Sequence, residues 1–182
     1  MRHATVICVG KTPLLMDRWS GEILPREKRS VKAVTAEKIY RDRQGNIALP
    51  TEMLVASIVG AVTNCTKLQY TRSRILDVLR FEGEFVALTN GRDQRDPVWV
   101  CDVFCKTQSG SRLPTSICIP RPRFDRWGFT TRICYDEKKT NREVLLRLFQ
   151  DAGCYSGLGL FSPLRRGQHG IFQVREWHEV SV

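Results

Sequence analysis

The 182-residue chain contains no apolar run approaching the ~20 residues that a membrane-crossing helix requires. Its opening residues do not read as a signal peptide either, because Thr5 to Val9 forms a short apolar strand pattern stopped by Gly10 and Lys11. A cytoplasmic protein without a membrane partner is expected. Histidine is scarce: His3, His169 and His178 are the three present. The seven cysteines include no CxxC and no cysteine–histidine pair, and Cys101 and Cys105 have no further ligand nearby. Cys8, Cys65, Cys118, Cys134 and Cys154 lie among apolar residues and are expected as reduced core side chains. Paired carboxylates of the metal-dependent nuclease kind are also missing, since Asp93 and Asp96 flank Arg95 as surface-loop residues do. Neither a metal nor a cofactor is expected.

Two glycine motifs fail on inspection. Gly10-Lys11-Thr12 ends like a P-loop, but Thr5 stands where that loop needs a glycine, and Pro13 follows at once. Gly157-Leu158-Gly159 lacks the third glycine of a dinucleotide fingerprint and follows a helix rather than a strand.

Acidic residues are in deficit. There are 19 Asp and Glu against 29 Lys and Arg, a formal charge of +10, which favours polyanionic partners. The cations cluster as Lys28, Arg29 and Lys32, as Arg121, Arg123 and Arg126, and as Arg165 and Arg166. The middle cluster is interleaved with Phe124, Trp127 and Phe129. Rings beside arginines suit a polynucleotide, with Trp127 or Phe124 stacking on a base while arginines hold phosphate.

Periodicity predicts strands at Ala4 to Val9, Glu84 to Thr89, Val98 to Lys106, Thr115 to Ile119, Phe129 to Tyr135 and Gly170 to Trp177. Residues 10–36, rich in Pro, Gly and charge, read as a partly mobile excursion, and Glu37 to Leu49 as two short strands about a turn. Thr51 can cap a first helix running to about Asn64. Thr140 and Glu143 have capping-box spacing for a second, with Val144, Leu145, Leu148 and Phe149 on one face and Gly153 as its stop. Without the hairpins the order is βαββαβ. The expected class is therefore α+β: a ferredoxin-like, RRM-like antiparallel sheet with two helices, an inserted hairpin at about 98–119 and one open face. One nucleic-acid-binding domain is expected over residues 1–182.

The strongest functional signal lies between the second helix and the last strand. There Gly157, Gly159, Gly167 and Gly170 punctuate a loop carrying Arg165, Arg166 and His169. Glycines admit close backbone approach, arginines grip phosphate, and the loop's amides would supply further donors.

The run from Tyr40 to Leu54, with Ala48-Leu49-Pro50 and Leu54 as its matching positions, resembles the entry to the first helix in the RAMP superfamily of CRISPR-associated RNA-binding proteins. The glycine of that helix is here Gly60. The stretch GLGLFSPLRRGQHGIFQV resembles the glycine-rich loop of the same superfamily, and together with PRPRFDRW it also resembles short phage and prokaryotic proteins of this type. The resemblance covers roughly residues 36–64 and 119–177. It implies single-stranded RNA in a basic groove, a place in CRISPR antiviral defence, subunits stacked head to tail in a filament, and a β-hairpin thumb, here Val98 to Ile119. Processing members of the superfamily cleave RNA with a histidine near the first helix, and no histidine lies between His3 and His169.

The expected function is non-catalytic binding of single-stranded RNA, or DNA, with self-association or contact with other CRISPR-type subunits. Two alternatives stay open. One is a metal-independent ribonuclease using His169 as base or acid. The other is a protein-interaction module that imitates a CRISPR subunit.

Overall fold

A computed structural model describes residues 1–19, 31–64, 72–89, 98–106 and 115–180 of the protein; of residues 31, 32, 34, 64, 72, 73, 98–106 and 115–120 the backbone alone is described. The alternation of apolar and polar residues sets the main sheet. In β1 (Arg2–Gly10), Ala4, Val6 and Cys8 point into the core while His3, Thr5 and Ile7 face the other way. β1 lies between β8 (Gly128–Tyr135) and β9 (Phe172–Val180), antiparallel to both. β5 (Phe85–Thr89) and β4 (Leu79–Phe81) pair with β8, and β3 (Ala48–Pro50) extends the edge beyond β5. The result is a six-stranded antiparallel sheet in an α+β fold.

Helix α2 (Thr51–Asn64) and helix α4 (Arg142–Asp151) pack on the inward face, α4 through Leu145, Leu148 and Phe149 and α2 through Leu54, Ile58 and Ala61. The short helix α3 (Arg72–Val78) leads directly into β4. Both long helices start differently from expectation. Thr51 donates its hydroxyl to the Gly83 carbonyl (2.7 Å), tying α2 to the turn before β5. For α4 the cap is Asn141, whose Oδ1 accepts from the Val144 amide, and Thr140 is buried. Nor does Gly153 end α4. The chain continues as a π-helical turn, Ala152–Ser156, and stops at Gly157 with φ +63°. Gly153 is there because a Cβ would collide with the Phe172 carbonyl.

A second sheet has three strands: β6 (Val98–Lys106) pairs with β7 (Thr115–Phe124), and β2 (Leu14–Leu15) pairs with the end of β7. The Gln108–Ser111 tip of this hairpin, Asp93, Asp96 and Cys65 lie outside the described residues.

The reading of residues 10–36 as an excursion needs correction. Leu14, Leu15 and Met16 are buried, and the chain later forms helix α1 (Val31–Glu37). Residues 11–17 are stitched on both sides. Met16 donates to the Pro122 carbonyl on β7, while Pro13 and Leu15 accept from Gly170 and Leu160 on the glycine loop. In residues 37–49 the expected turn and second strand are present, as β3 takes Ala48 and Leu49 and Asp42 Oδ1 accepts from the amides of Gln44 and Asn46, while the first strand is reduced to a bridge between Arg41 and Ile47.

Candidate nucleic-acid interface

The glycine loop lies where the two sheets meet, and its glycines act by close approach. Gly170, at φ +68°, sits where a Cβ would overlap the Leu158 carbonyl; a Cβ on Gly159 would meet the Leu15 carbonyl, and one on Gly167 the Phe161 carbonyl. The amides expected as ligand donors are already committed. Gly157 donates to Ala152, Leu158 to Gly170, Leu160 to Leu15, Gly167 to Ser162, His169 to Phe161 and Gly170 to Pro13. What the loop presents outward is side chains. Arg165 follows Pro163 in a single 3-10 turn, Arg166 closes that turn in the left-handed region at φ +63°, and both are exposed without a described carboxylate in ion-pair range.

The Arg121, Arg123 and Arg126 cluster does not form one binding edge. Arg121 is buried, and its Nη2 lies 3.0 Å from Asp17 Oδ2. Arg123 is half-buried and pairs with Asp125 at 2.6 Å. Arg126 alone is exposed. Trp127, expected as a stacking ring, belongs to the core. It is 4% exposed, donates Nε1–H to the Thr12 carbonyl and packs on Phe129 and Phe172. Phe124 is buried as well. Lys28 and Arg29 lie outside the described residues, and Lys32 stands on α1 with its backbone alone described.

The structure assembles a different cationic cluster, centred on Asp17 just past β2. Lys38 Nζ donates to Asp17 Oδ1 at 2.8 Å, Arg121 holds the other carboxylate oxygen, and the Arg18 amide donates to the Lys38 carbonyl. Half-buried Tyr40 stands beside them. Burial, and after it the charge of Asp17, raises the Tyr40 phenol above its ordinary pKa, while Arg18 and Arg165 pull it down, so both arginines are within electrostatic reach of the ring. Lys38 and Arg121 thus share the Asp17 carboxylate, while Arg18, next in sequence, and Arg165 and Arg166 on the glycine loop are exposed. Exposed Trp19 follows Arg18 directly.

Asp17, Arg18, Trp19, Lys38 and Tyr40 were outside the sequence-based site. The adjacent Arg18-Trp19 pair was the one local signal; the remainder is tertiary.

On the open face of the main sheet, β8, β1 and β9 align Arg132, Thr5 and His178 in one cross-strand row. A depression of about 420 Å³ there is lined by His3, Thr5, Glu82, Arg132 and Val180. His3 Nδ1 lies 2.8 Å from Glu82, and His178 Nε2 lies 2.9 Å from Glu176. His169 is half-buried in the glycine loop, and its Nδ1 is buried without a hydrogen-bond partner among the described residues. Of the thiols expected in the core, Cys8 is buried, which pushes its pKa up, whereas Cys154 is exposed on the π-helical turn. Among the described residues, no group of three or more His, Cys, Asp and Glu side chains is placed to hold a metal ion, and no helix is long and apolar enough to cross a membrane.

No family model matches the chain. No curated protein matches it. Among solved structures, it is similar to a chain in the cryo-EM structure of the type III-B Cmr-beta bound to cognate target RNA, with a TM-score of 0.66 and 12% identity, covering 99% of this chain and 61% of that one. It therefore spans about three-fifths of that neighbour's length, and at this identity the likeness is one of fold. The crystal structure of Cmr6 from Pyrococcus furiosus is also similar, with a TM-score of 0.45 and 11% identity over 96% of this chain and 99% of that one.

Proposed function

We propose that the chain is a non-catalytic, single-stranded nucleic-acid-binding subunit of a CRISPR-type ribonucleoprotein, with RNA as its ligand. On this reading it is a RAMP protein, and the order β4/β5–β8–β1–β9 is the ferredoxin-like sheet of that superfamily with the β6–β7 hairpin inserted. The observation that carries the reading is that exposed Arg18 adjoins the Asp17–Lys38–Arg121 cluster while exposed Arg165 and Arg166 stand on the glycine loop, which is hydrogen-bonded to Pro13 and Leu15 of the same segment. Exposed arginines on segments held together suit a phosphate backbone. The fold likeness to a chain of an assembly that holds target RNA supports the same ligand class.

Phosphate-dominated binding has a measurable signature. Fluorescence anisotropy with a short uridine homopolymer should show affinity falling steeply with salt, with a slope near −0.7 for each phosphate contacted. Replacing Arg165 and Arg166 together by alanine should weaken low-salt affinity at least roughly tenfold and flatten that slope. Unchanged affinity would remove the site from the proposal. Incubation with RNA in chelator tests the non-catalytic part, which falls if cleavage occurs and disappears in His169→Ala. Sedimentation with and without a long oligonucleotide tests stacking of subunits along the strand.

A further inference from the structure

We infer that Trp19 is a base-stacking platform at the edge of the Asp17 cluster, receiving an unpaired base of the strand whose phosphates the cluster holds. The inference rests on the reading above and adds a residue and a contact type to it. Trp19 is 86% exposed, the most open of the large apolar side chains described; Trp127 and Trp177 are 4% and 8% exposed. A ring of that size left in water forgoes the stabilisation that burial gives the other two.

Its backbone is attached to a fixed point. The Arg18 amide is held by the Lys38 carbonyl at 3.0 Å, and Asp17 is gripped by Lys38 and Arg121. The ring thus projects one residue beyond an anchored position. The groups established at that anchor are charged: exposed Arg18, Asp17, Lys38 and Arg121. An exposed tryptophan next in sequence to an exposed arginine fits a base stacked on its π-face with phosphate held alongside, and such stacking tolerates any base.

The test uses the full chain and two fluorescent strands with the same sugar–phosphate backbone, a short uridine homopolymer and its abasic counterpart. Trp19→Ala should weaken binding of the homopolymer by roughly 5- to 100-fold. Trp19→Phe should stay within about threefold of wild type, since a smaller π-face remains. The salt slope should be the same in all three proteins, because no phosphate contact has been removed. The abasic strand should bind wild type and Trp19→Ala alike. Both variants should melt with the wild type, as the ring buries almost nothing.

Wild-type affinity in Trp19→Ala overturns the inference and assigns the ring elsewhere, for instance to a protein partner. An equal loss on the abasic strand also overturns it, because the ring would then act without a base. If wild type binds neither strand, the binding function itself falls, and the stacking role with it. If wild type binds both and Trp19→Ala matches it, only the stacking role falls.

Discussion

The open face of the main sheet and the junction beneath the glycine loop are both polar and both carry arginines, yet their electrostatics differ. On the open face, cations and anions balance. Arg80 and Arg132 share it with Glu82 and Glu176, and His3 and His178 are each matched to a glutamate. At the junction, Asp17 pairs with Lys38 and Arg121, while Arg18, Arg165 and Arg166 are exposed with no described carboxylate in ion-pair range. A net charge of +10 says nothing about where the surplus lies. On the proposed reading the phosphate track lies at the junction, away from the face that sheet-type RNA binders use.

The sharpest way to break this comparison is to reverse two charges in each region. Arg18→Glu with Arg165→Glu and Arg80→Glu with Arg132→Glu change net charge equally, and all four side chains are exposed. The junction pair should lose at least ~100-fold in low-salt affinity by anisotropy, and the open-face pair less than ~5-fold. Equal losses would mean that binding follows net charge alone.

The next test compares two glycines in the left-handed region. Gly170→Ala must force a Cβ into the Leu158 carbonyl at φ +68°, while Gly45, at φ +86°, has nothing within 4 Å. Thermal melts should show about 3 kcal/mol or more lost for Gly170→Ala and about 1 kcal/mol for Gly45→Ala. Similar losses would show that the junction is not tightly packed.

Asp17→Asn should move stability and binding in opposite directions. It leaves Lys38 and nearly buried Arg121 without their counter-charge, at a cost of roughly 1–3 kcal/mol, less than for a fully buried pair because Asp17 is 30% exposed. It also adds one unit to the cationic surplus, so affinity at low salt should rise a few-fold in the same preparation. A fall in both would make Asp17 part of the binding contact.

The smallest effect is an alkaline one at the rim of the main sheet. Burial first, and the hydrogen bond to Glu179 second, push the Tyr135 phenol up to about 12. Its contribution to stability is complete below its unfolded value near ~10 and is lost as pH rises through the folded value. Tyr135 should contribute no more than about 1.4 kcal/mol per pH unit to the decline of stability over that window, and Tyr135→Phe should remove that share in denaturant melts. Tyr40 and Cys8, both also raised by burial, add to the remaining slope.

Local pattern made much of the architecture legible. A short apolar, β-branched run marked β1 and alternation marked β8, and helical spacing marked the buried face of α4. Where several capping residues stood in a row, spacing alone misplaced the start of α4, because Thr140 is drawn into the interior and Asn141 takes the cap. The three-residue apolar run Leu14-Leu15-Met16 is too short to show a period, so proline and charge around it dominated the reading of that segment. The glycine loop stood out as unusual, but its amide partners lie on distant segments. The Asp17 cluster was the least legible feature, since positions 17, 38 and 121 meet only through tertiary structure, with β2 paired to β7 beside them. For the same reason Arg121 and Trp127 looked available when both are interior.

The seam that joins β2 to the glycine loop has a consequence for biosynthesis. The Ile171 amide donates to the Thr12 hydroxyl across a separation of 159 residues, and Leu160 reaches back to Leu15 in the same way. Contacts that long are late and slow to form. On the ribosome, the segment around Thr12 must wait for some 160 further residues before its partner emerges. A product terminated before residue 160 would leave Pro13, Leu15 and Thr12 without the backbone partners that the glycine loop supplies.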